Sequence, residues 1–253
     1  MGETLTSKTL GGLKVVPVQQ RAPFINILVY GDSGVGKTVL AGSADACPDL
    51  RPCLLLDFEG GSESLVRTYP NVDQVRITSW KEMQAVYDDL LRGKHGYSTV
   101  ILDSLTEIQK FNMYDIMQQL VADKNDRDED VPGMREWGRN LEQMRKFVRA
   151  FRDLPMNTIF TALKVDAKND RTGMVTTKPS LSGKLADEVA AFLDIVVYYY
   201  VKQVVENGEK FDRRLLLTAK TETIIAKDRT DRLPIVVEEP TMQKLFDLIN
   251  NNK

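Results

Sequence analysis

Residues 24–38 read Phe24-Ile25-Asn26-Ile27-Leu28-Val29-Tyr30-Gly31-Asp32-Ser33-Gly34-Val35-Gly36-Lys37-Thr38. The first half is an apolar run typical of a buried strand, and the second half has the pattern G-x-x-x-x-G-K-T. Glycines at these positions let successive backbone amides turn inward around phosphate oxygens, and a helix follows from Val39. We expect Lys37 to reach the β- and γ-phosphates and Thr38 to ligate Mg²⁺. The sequence therefore predicts a nucleotide-binding protein with a phosphate loop over residues 31–39.

The composition bounds the classes of protein that fit this chain. It has 253 residues, 42% apolar and 28% charged, with a net charge of −2. These values predict a short arm over residues 1–22 and one large α/β domain over residues 23–253. Contact with nucleic acid must come from a local basic patch. No secretory signal or membrane-spanning run is apparent, which predicts a cytoplasmic protein. Two cysteines and one histidine exclude a disulfide framework, structural zinc and Ser-His-Asp chemistry.

Strands alternate with helices along the chain. Buried strands are predicted over residues 24–30, 53–58, 99–103 and 157–162, and helices over residues 80–92, from Ser104 onward, and over residues 134–154. Ser104 and Glu107 form a capping-box pattern. An Asn207-Gly208 turn predicts a β-hairpin near the C-terminus. The predicted fold class is α/β, with a mainly parallel sheet sandwiched by helices and a C-terminal β-hairpin.

Two acidic residues follow predicted strands. Asp103 ends the run Thr99-Val100-Ile101-Leu102, where a Walker B aspartate holds Mg²⁺ through water. Glu59 follows the apolar run over residues 53–58, and ligands bind at the carboxyl edge of a parallel sheet. From there Glu59 could polarise the water that attacks the γ-phosphate, and the alternative is a surface glutamate in a glycine-rich turn. Together the two acids predict an ATPase.

These motifs carry a family resemblance. Residues 31–38, Leu54-Leu55-Leu56-Asp57-Phe58-Glu59 and Val100-Ile101-Leu102-Asp103-Ser104, in this order, resemble the core ATPase of the RecA recombinases. In detail the chain is most similar to short, core-only RecA-like proteins of bacteriophages, classed as ATP-dependent single-strand annealing proteins. Trp137-Gly138 and Ala226-Lys227-Asp228-Arg229 are also similar to that group, over roughly residues 24–235. The resemblance implies that Glu59 is the catalytic glutamate, that Asp103 is the Walker B aspartate, and that ATP and Mg²⁺ bind.

Segment 164–184 is polar and rich in Gly, Ser, Thr and Pro, which is typical of a functional loop or of disorder. The resemblance implies that it is the family's disordered DNA-binding loop. Five basic residues against two acidic ones leave it a charge of +3, suited to a phosphate backbone. The candidate residues for single-stranded DNA are Lys164, Lys168, Arg171, Lys178 and Lys184. It holds no aromatic residue, so we expect salt-sensitive binding without base stacking; the alternative is a merely solvated loop.

RecA relatives hydrolyse ATP between subunits, where basic side chains of a neighbour stabilise charge on the γ-phosphate. Lys220, Lys227 and Arg229 resemble those residues, which implies a homo-oligomer with ATP at its subunit interfaces. Two departures stand out. The strand ending Thr161-Ala162-Leu163 lacks the Gln or His that relatives use to sense the γ-phosphate. The first strand begins near residue 24, which leaves no N-terminal assembly domain and so leaves open a ring, a short filament or DNA-dependent assembly.

Three functions are consistent with these residues. The first is an ATPase that binds single-stranded DNA and promotes annealing or strand exchange in phage recombination. The second is a nucleotide or small-molecule kinase, which shares the phosphate loop but has no use for Glu59 as a water activator. The third is a scaffold or loader for replication proteins, such as a single-strand binding protein, that uses ATP only to assemble.

Overall fold

The computed structural model describes residues 9–15, 24–123, 128, 130–206 and 208–251. Within the predicted arm it contains a small hairpin of β1 (Thr9–Leu10) and β2 (Leu13–Lys14). The rest of that arm lies outside the described residues. The first strand of the main sheet begins at Asn26, close to the start predicted from the apolar run.

One mixed sheet forms the centre of the molecule. Its strands are β3 (Asn26–Gly31), β4 (Cys53–Asp57), β5 (Asp73–Arg76), β6 (Thr99–Asp103), β7 (Asn157–Lys168), β8 (Val175–Pro179), β9 (Ile195–Glu206), β10 (Glu209–Leu217), β11 (Lys227–Asp228) and β12 (Val236–Glu238). Their order is β12-β10-β9-β3-β7-β6-β4-β5, with β8 on β7 and β11 on β9. Pairing is parallel from β9 to β5, whereas β8, β10, β11 and β12 pair antiparallel. The α/β class with a mainly parallel sheet is confirmed.

Helices cover both faces of this sheet. They are α1 (Lys37–Gly42), α2 (Glu63–Val66), α3 (Trp80–Arg92), α4 (Leu105–Asp123), α5 (Met134–Arg152), α6 (Leu185–Phe192) and α7 (Met242–Asn251), with a 3-10 helix at Ser43–Ala46. One apolar cluster packs α3, α4, α5 and α6 on the sheet, and a second packs α1, α2 and α7 on the other face. Among the described residues, no helix has both the length and the apolar composition needed to cross a bilayer.

The central strand β3 contributes to both clusters. Leu28 and Tyr30 lie in the first cluster, and Ile27 and Val29 lie in the second. Alternate side chains of a strand point to opposite faces, so a strand covered on both sides must be apolar throughout. This accounts for the apolar run over residues 27–30, directly before Gly31, and places the phosphate loop at the middle of the sheet.

Two antiparallel hairpins extend from the carboxyl edge of the sheet, one on each side of β3. Beyond Leu163, the partner of Gly31, β7 continues and pairs with β8. Beyond Tyr199, the other partner of Gly31, β9 continues and pairs with β10. The predicted C-terminal β-hairpin is therefore present. Gly208 in its turn has φ of 84°, and Asn207 lies outside the described residues.

Candidate active site

Gly31 ends β3 at a point where the neighbouring strand leaves no room for a side chain. A Cβ on Gly31 would lie 2.2 Å from the Tyr199 carbonyl oxygen. Gly36, at the start of α1, has φ of 100°, in the left-handed region that other residues rarely adopt. The predicted sequence of strand, loop and helix is thus present, and two of its glycines are required by packing or by backbone conformation.

Lys37 lies against the loop that precedes it. Its Nζ donates to the Gly31 carbonyl at 3.3 Å and to the Asp32 carbonyl at 2.7 Å. Burial lowers the pKa of Lys37, and the carboxylates of Asp103, Glu59 and Asp32 act in the opposite direction. The ammonium group therefore lies within electrostatic reach of both acids that the sequence predicted for the site.

Both carboxylate oxygens of Asp103 accept hydrogen bonds. Thr38 Oγ1 donates to Asp103 Oδ2 at 2.5 Å, and Thr161 Oγ1 donates to Asp103 Oδ1. Thr38 lies in α1, Asp103 ends β6, and Thr161 lies on the adjacent β7. Mg²⁺ can be bound by a hydroxyl and a neighbouring carboxylate, with water and phosphate oxygens as its other ligands. The predicted pair is thus brought together and fits the ion; Thr161 was missed, although a polar residue inside a buried strand was an available signal.

Glu59 follows β4 and is held by the residue after Asp103. The buried Ser104 donates its hydroxyl to Glu59 Oε1, and Glu59 is otherwise exposed. The predicted capping box is wrong, because neither of its two hydrogen bonds is among those described for Ser104 and Glu107, and Glu107 pairs instead with Lys110 at 2.5 Å. A contact across 45 residues has replaced the local one. The structure thereby places Glu59 beside the Asp103 end of β6.

Asp57 holds the backbone turn that carries Glu59. Its Oδ1 accepts the amides of Glu59 at 3.0 Å and Gly60 at 2.6 Å, and the Arg76 guanidinium at 3.1 Å. Its Oδ2 accepts Gln74 Nε2 at 3.1 Å. Asp57 is only 1% exposed, so a buried carboxylate joins this turn to β5. Sequence reasoning missed this role, although an aspartate at the end of an apolar strand gave a signal.

Segment 164–184 is ordered, and the prediction of a disordered loop is wrong. Residues 164–168 continue β7, residues 175–179 form β8, and Lys184 precedes α6. The Asn169 amide donates to the Met174 carbonyl at 2.8 Å and closes the tip of this β7–β8 hairpin. Cross-strand pairing satisfies the backbone of this polar sequence, which explains how it forms strands without an apolar run.

The basic residues of this segment do not share one surface. Lys164 and Lys168 lie on one face of the β7–β8 hairpin, whereas Lys178, the cross-strand partner of Val165, lies on the other. Lys168, Arg171 and Lys184 are exposed. Of the residues predicted to bind DNA, Lys164 and Lys168 therefore share a face of the hairpin, and Lys178 does not.

Lys164 differs from the other four because it reaches the phosphate loop. Its Nζ lies 3.5 Å from Asp32 Oδ1 and 3.1 Å from Asp166 Oδ2. The side chain is 23% exposed and lies at the root of the hairpin. The sequence assigned Lys164 to DNA and gave no indication of a contact with Asp32.

The three residues predicted to act on a neighbouring subunit lie away from this chain's own phosphate loop. Lys227 Nζ donates to the carbonyls of Ala190 at 3.0 Å and Leu193 at 2.9 Å, at the C-terminal end of α6. Arg229 pairs with Asp194 at 2.6 Å, beside the start of β9. Lys220 is exposed in the loop after β10. Two of the three are thus engaged in contacts within their own chain.

Two residues beside the loop were not predicted. A Cβ on Gly36 would lie 3.8 Å from Arg214 Nε and 3.9 Å from the Tyr199 hydroxyl. Burial raises the pKa of Tyr199, and Arg214 opposes that shift. Both lie on the β9–β10 side of β3, opposite the side of Asp103 and Glu59. They are candidates for contacts with a nucleotide bound at the phosphate loop, and no motif in the sequence pointed to them.

Among solved structures, the chain has low similarity to two secretion-system ATPases. A prototypical ATPase from the type III secretion system of pathogenic bacteria is 15% identical with a TM-score of 0.43, over 79% of this chain and 65% of that chain. The assembled ATPase EscN from the type III secretion system of enteropathogenic E. coli (EPEC) is 17% identical with a TM-score of 0.40, over 68% and 42%. This chain thus spans less than two thirds of either protein.

No curated protein sequence matches the chain. Residues 24–230, which include every strand from β3 to β11, match the AAA_24 family, described as an AAA domain. Given this match and the phosphate loop between β3 and α1, the chain belongs to the AAA_24 family and is a P-loop ATPase.

Proposed function

We propose that this ATPase couples Mg²⁺-dependent ATP hydrolysis to the binding of single-stranded DNA, and that it promotes annealing or strand exchange in phage recombination. The observation that carries the proposal is that Lys37, Thr38, Asp103 and Glu59 meet at the carboxyl edge of the parallel sheet. Nucleotide binding alone does not need a glutamate held at this edge, whereas hydrolysis needs a group that orients water.

In the proposed reaction Glu59 accepts a proton from water while the water oxygen bonds to the γ-phosphorus. The bond from the γ-phosphorus to the bridging oxygen breaks, and ADP and inorganic phosphate are the products. Lys37 offsets charge on the phosphate oxygens, and Thr38 with Asp103 would hold a Mg²⁺ ion, which would supply further charge stabilisation. The hydrogen bond from Ser104 keeps Glu59 directed toward Asp103.

The β7–β8 hairpin is the proposed contact for single-stranded DNA. Segment 164–184 carries +3 within a chain of net −2. Lys168 and Arg171 are exposed near its tip, beside Met174 and Val175, which are 44% and 46% exposed. Such a surface favours phosphate contacts with apolar support, so affinity should fall as salt rises. The link to phage recombination rests on the resemblance of the motifs to the core-only RecA-like annealing proteins.

A homo-oligomer with ATP at its interfaces is part of the proposal. Lys220 is its strongest candidate for a residue that serves a neighbouring site, because it is exposed, whereas Lys227 and Arg229 bind carbonyls and a carboxylate of their own chain. A single-strand binding protein remains a proposed partner on the resemblance alone.

The test is the steady-state ATPase rate with and without single-stranded DNA at two salt concentrations, for the parent, Glu59→Gln and Glu63→Gln. Glu63, an exposed glutamate in the first turn of α2, is the matched control. We expect DNA to stimulate the parent less at high salt, and Glu59→Gln to lower turnover about 100-fold, the lower range for loss of a general base. Glu63→Gln should match the parent.

The other two functions give different results. A kinase would turn over only with a phosphate acceptor and would be indifferent to Glu59→Gln. A scaffold would show no turnover in the parent. A rate that single-stranded DNA does not change would contradict the DNA part of the proposal and leave the hydrolytic part standing.

A further inference from the structure

Lys164 stands between two carboxylates that belong to different parts of the molecule. Asp32, 3.5 Å from its Nζ, is the second residue of the phosphate loop, and Asp166, 3.1 Å away, belongs to the β7–β8 hairpin. The hydrogen bond to Asp166 raises the pKa of Lys164, so the side chain is a cation at neutral pH. A single cation is thus shared between the nucleotide site and the hairpin.

The Asp166 end of this arrangement can persist without Lys164. Asp166 Oδ1 accepts the Thr177 hydroxyl at 2.7 Å across the hairpin, and this bond is the largest cause of the lowered pKa of Asp166. Both Asp32 and Asp166 are largely exposed, at 60% and 46%, so their hold on the ammonium is screened by water. A more highly charged anion beside Asp32 should therefore draw Lys164 away from Asp166.

The terminal phosphate of a nucleoside triphosphate is such an anion. Lys37, which is expected to reach the β- and γ-phosphates, donates to the carbonyl of the same Asp32, so both ammonium groups converge on one residue of the loop. We propose that Lys164 is a ligand of the terminal phosphate of ATP and that Asp166 competes with that phosphate for it. The inference rests on the proposed function, since it requires ATP at the phosphate loop.

The root of the hairpin is joined to the strand that carries the loop. The Tyr30 hydroxyl, one residue before Gly31, donates to the Ile225 carbonyl at 2.6 Å and also lies 3.3 Å from the Thr177 carbonyl. The Thr177 amide in turn donates to the Thr223 carbonyl at 2.7 Å. Thr177, which binds Asp166, is therefore fixed at its backbone. Transfer of Lys164 to phosphate then changes the charge of the hairpin face that carries Lys168, while the root stays in place.

Lys164 directly follows Leu163, whose register partner on β3 is Gly31, the first residue of the phosphate loop. The inference accordingly reassigns Lys164 from DNA to nucleotide. A DNA contact and a terminal-phosphate contact differ in a measurable way, because only the second distinguishes ATP from ADP in the absence of DNA.

The experiment measures the affinities of the full chain for AMP-PNP, a non-hydrolysable ATP analogue, and for ADP, by calorimetry with Mg²⁺ and without DNA. The variants are Lys164→Gln and Asp166→Asn, with Lys178→Gln and Asp170→Asn as controls that make the same charge changes elsewhere on the hairpin. Loss of one charge-assisted hydrogen bond predicts that Lys164→Gln weakens AMP-PNP binding roughly tenfold or more and changes ADP binding less than about twofold. Asp166→Asn should tighten AMP-PNP and leave ADP unchanged.

Equal effects of Lys164→Gln on the two nucleotides, or weaker AMP-PNP binding in Asp166→Asn, would overturn the inference. Unchanged nucleotide affinities together with weaker binding of single-stranded DNA in Lys164→Gln would restore Lys164 to the DNA surface. A parent chain that binds neither nucleotide, or a Glu59→Gln variant with full turnover, would instead count against the proposed function itself.

Discussion

Asp57→Asn tests whether the turn that carries Glu59 is positioned by a buried carboxylate. The asparagine side chain keeps one oxygen for the backbone amides of Glu59 and Gly60, which lie 3.0 and 2.6 Å from Asp57 Oδ1 in the parent. It removes the negative charge that also binds Arg76 and Gln74. Hydrogen bonds to a charged group contribute about 1.5–3 kcal/mol each, roughly twice the neutral value. Because Arg76 is 46% exposed and regains water, we expect the free energy of unfolding to fall by only about 1–2 kcal/mol.

The larger effect should be on turnover. Without the charge that binds Arg76, the turn that carries Glu59 would be held less firmly to β5, and a displacement of about 1 Å at a reacting group lowers a rate by up to about 100-fold. We therefore expect kcat to fall roughly 10-fold or more, with KM for ATP unchanged because Asp57 makes no bond to residues 31–38 among its described contacts.

The assay is a double-mutant cycle with Glu59→Gln, reading kcat, KM and the urea midpoint. If Asp57 acts only through Glu59, Asp57→Asn should lower kcat in the parent and have no further effect in the Glu59→Gln background. Multiplicative losses in the double variant, or a raised KM with normal kcat, would show that the reasoning about this turn is wrong. Asp73→Asn, at an exposed residue of the same β5, is the control.

Two further predictions concern the loop and the metal. Gly31→Ala should lower the free energy of unfolding by about 3 kcal/mol or more and abolish AMP-PNP binding, because its Cβ would meet the Tyr199 carbonyl oxygen at 2.2 Å. Gly61→Ala, with no atom within 4 Å of an added Cβ, should leave both nearly unchanged in thermal unfolding and calorimetry, and equal effects would contradict the packing argument. Thr161→Val removes the hydroxyl that binds Asp103 Oδ1 and should raise the Mg²⁺ concentration for half-maximal turnover about tenfold. Thr158→Val, which removes an equally buried hydroxyl on the same strand, should not; a Mg²⁺ dependence that is the same in both variants would refute a role for Thr161 in the metal site.

The elements nearest the phosphate loop could be predicted because their signals are local. The apolar runs of β3, β4 and β6 are covered on both faces by helices, so each strand carries its own evidence in sequence. Asp103 and Glu59 follow such runs, and the rule that ligands bind at the carboxyl edge of a parallel sheet was enough to place them together.

The contacts that complete the candidate site could not be predicted, because they join distant positions. Thr161 lies 58 residues from Asp103, and Lys164 reaches Asp32 only because β7 is the neighbour of β3, an order that the sequence does not state. Ser104 shows the reverse case: its local pattern favoured a helix cap, and a tertiary contact with Glu59 prevailed. The β7–β8 hairpin was missed since neither strand beyond Leu163 has an apolar face to bury.

The strand order also limits how copies of this chain can join. The sheet ends in β5 on one side and β12 on the other, strands of 4 and 3 residues. All four residues of β5 are exposed, and it begins with Asp73 and ends with Arg76. Short, charged edge strands resist pairing with another sheet. An oligomer of this chain would therefore be held by side chains and loops rather than by one sheet running through successive subunits.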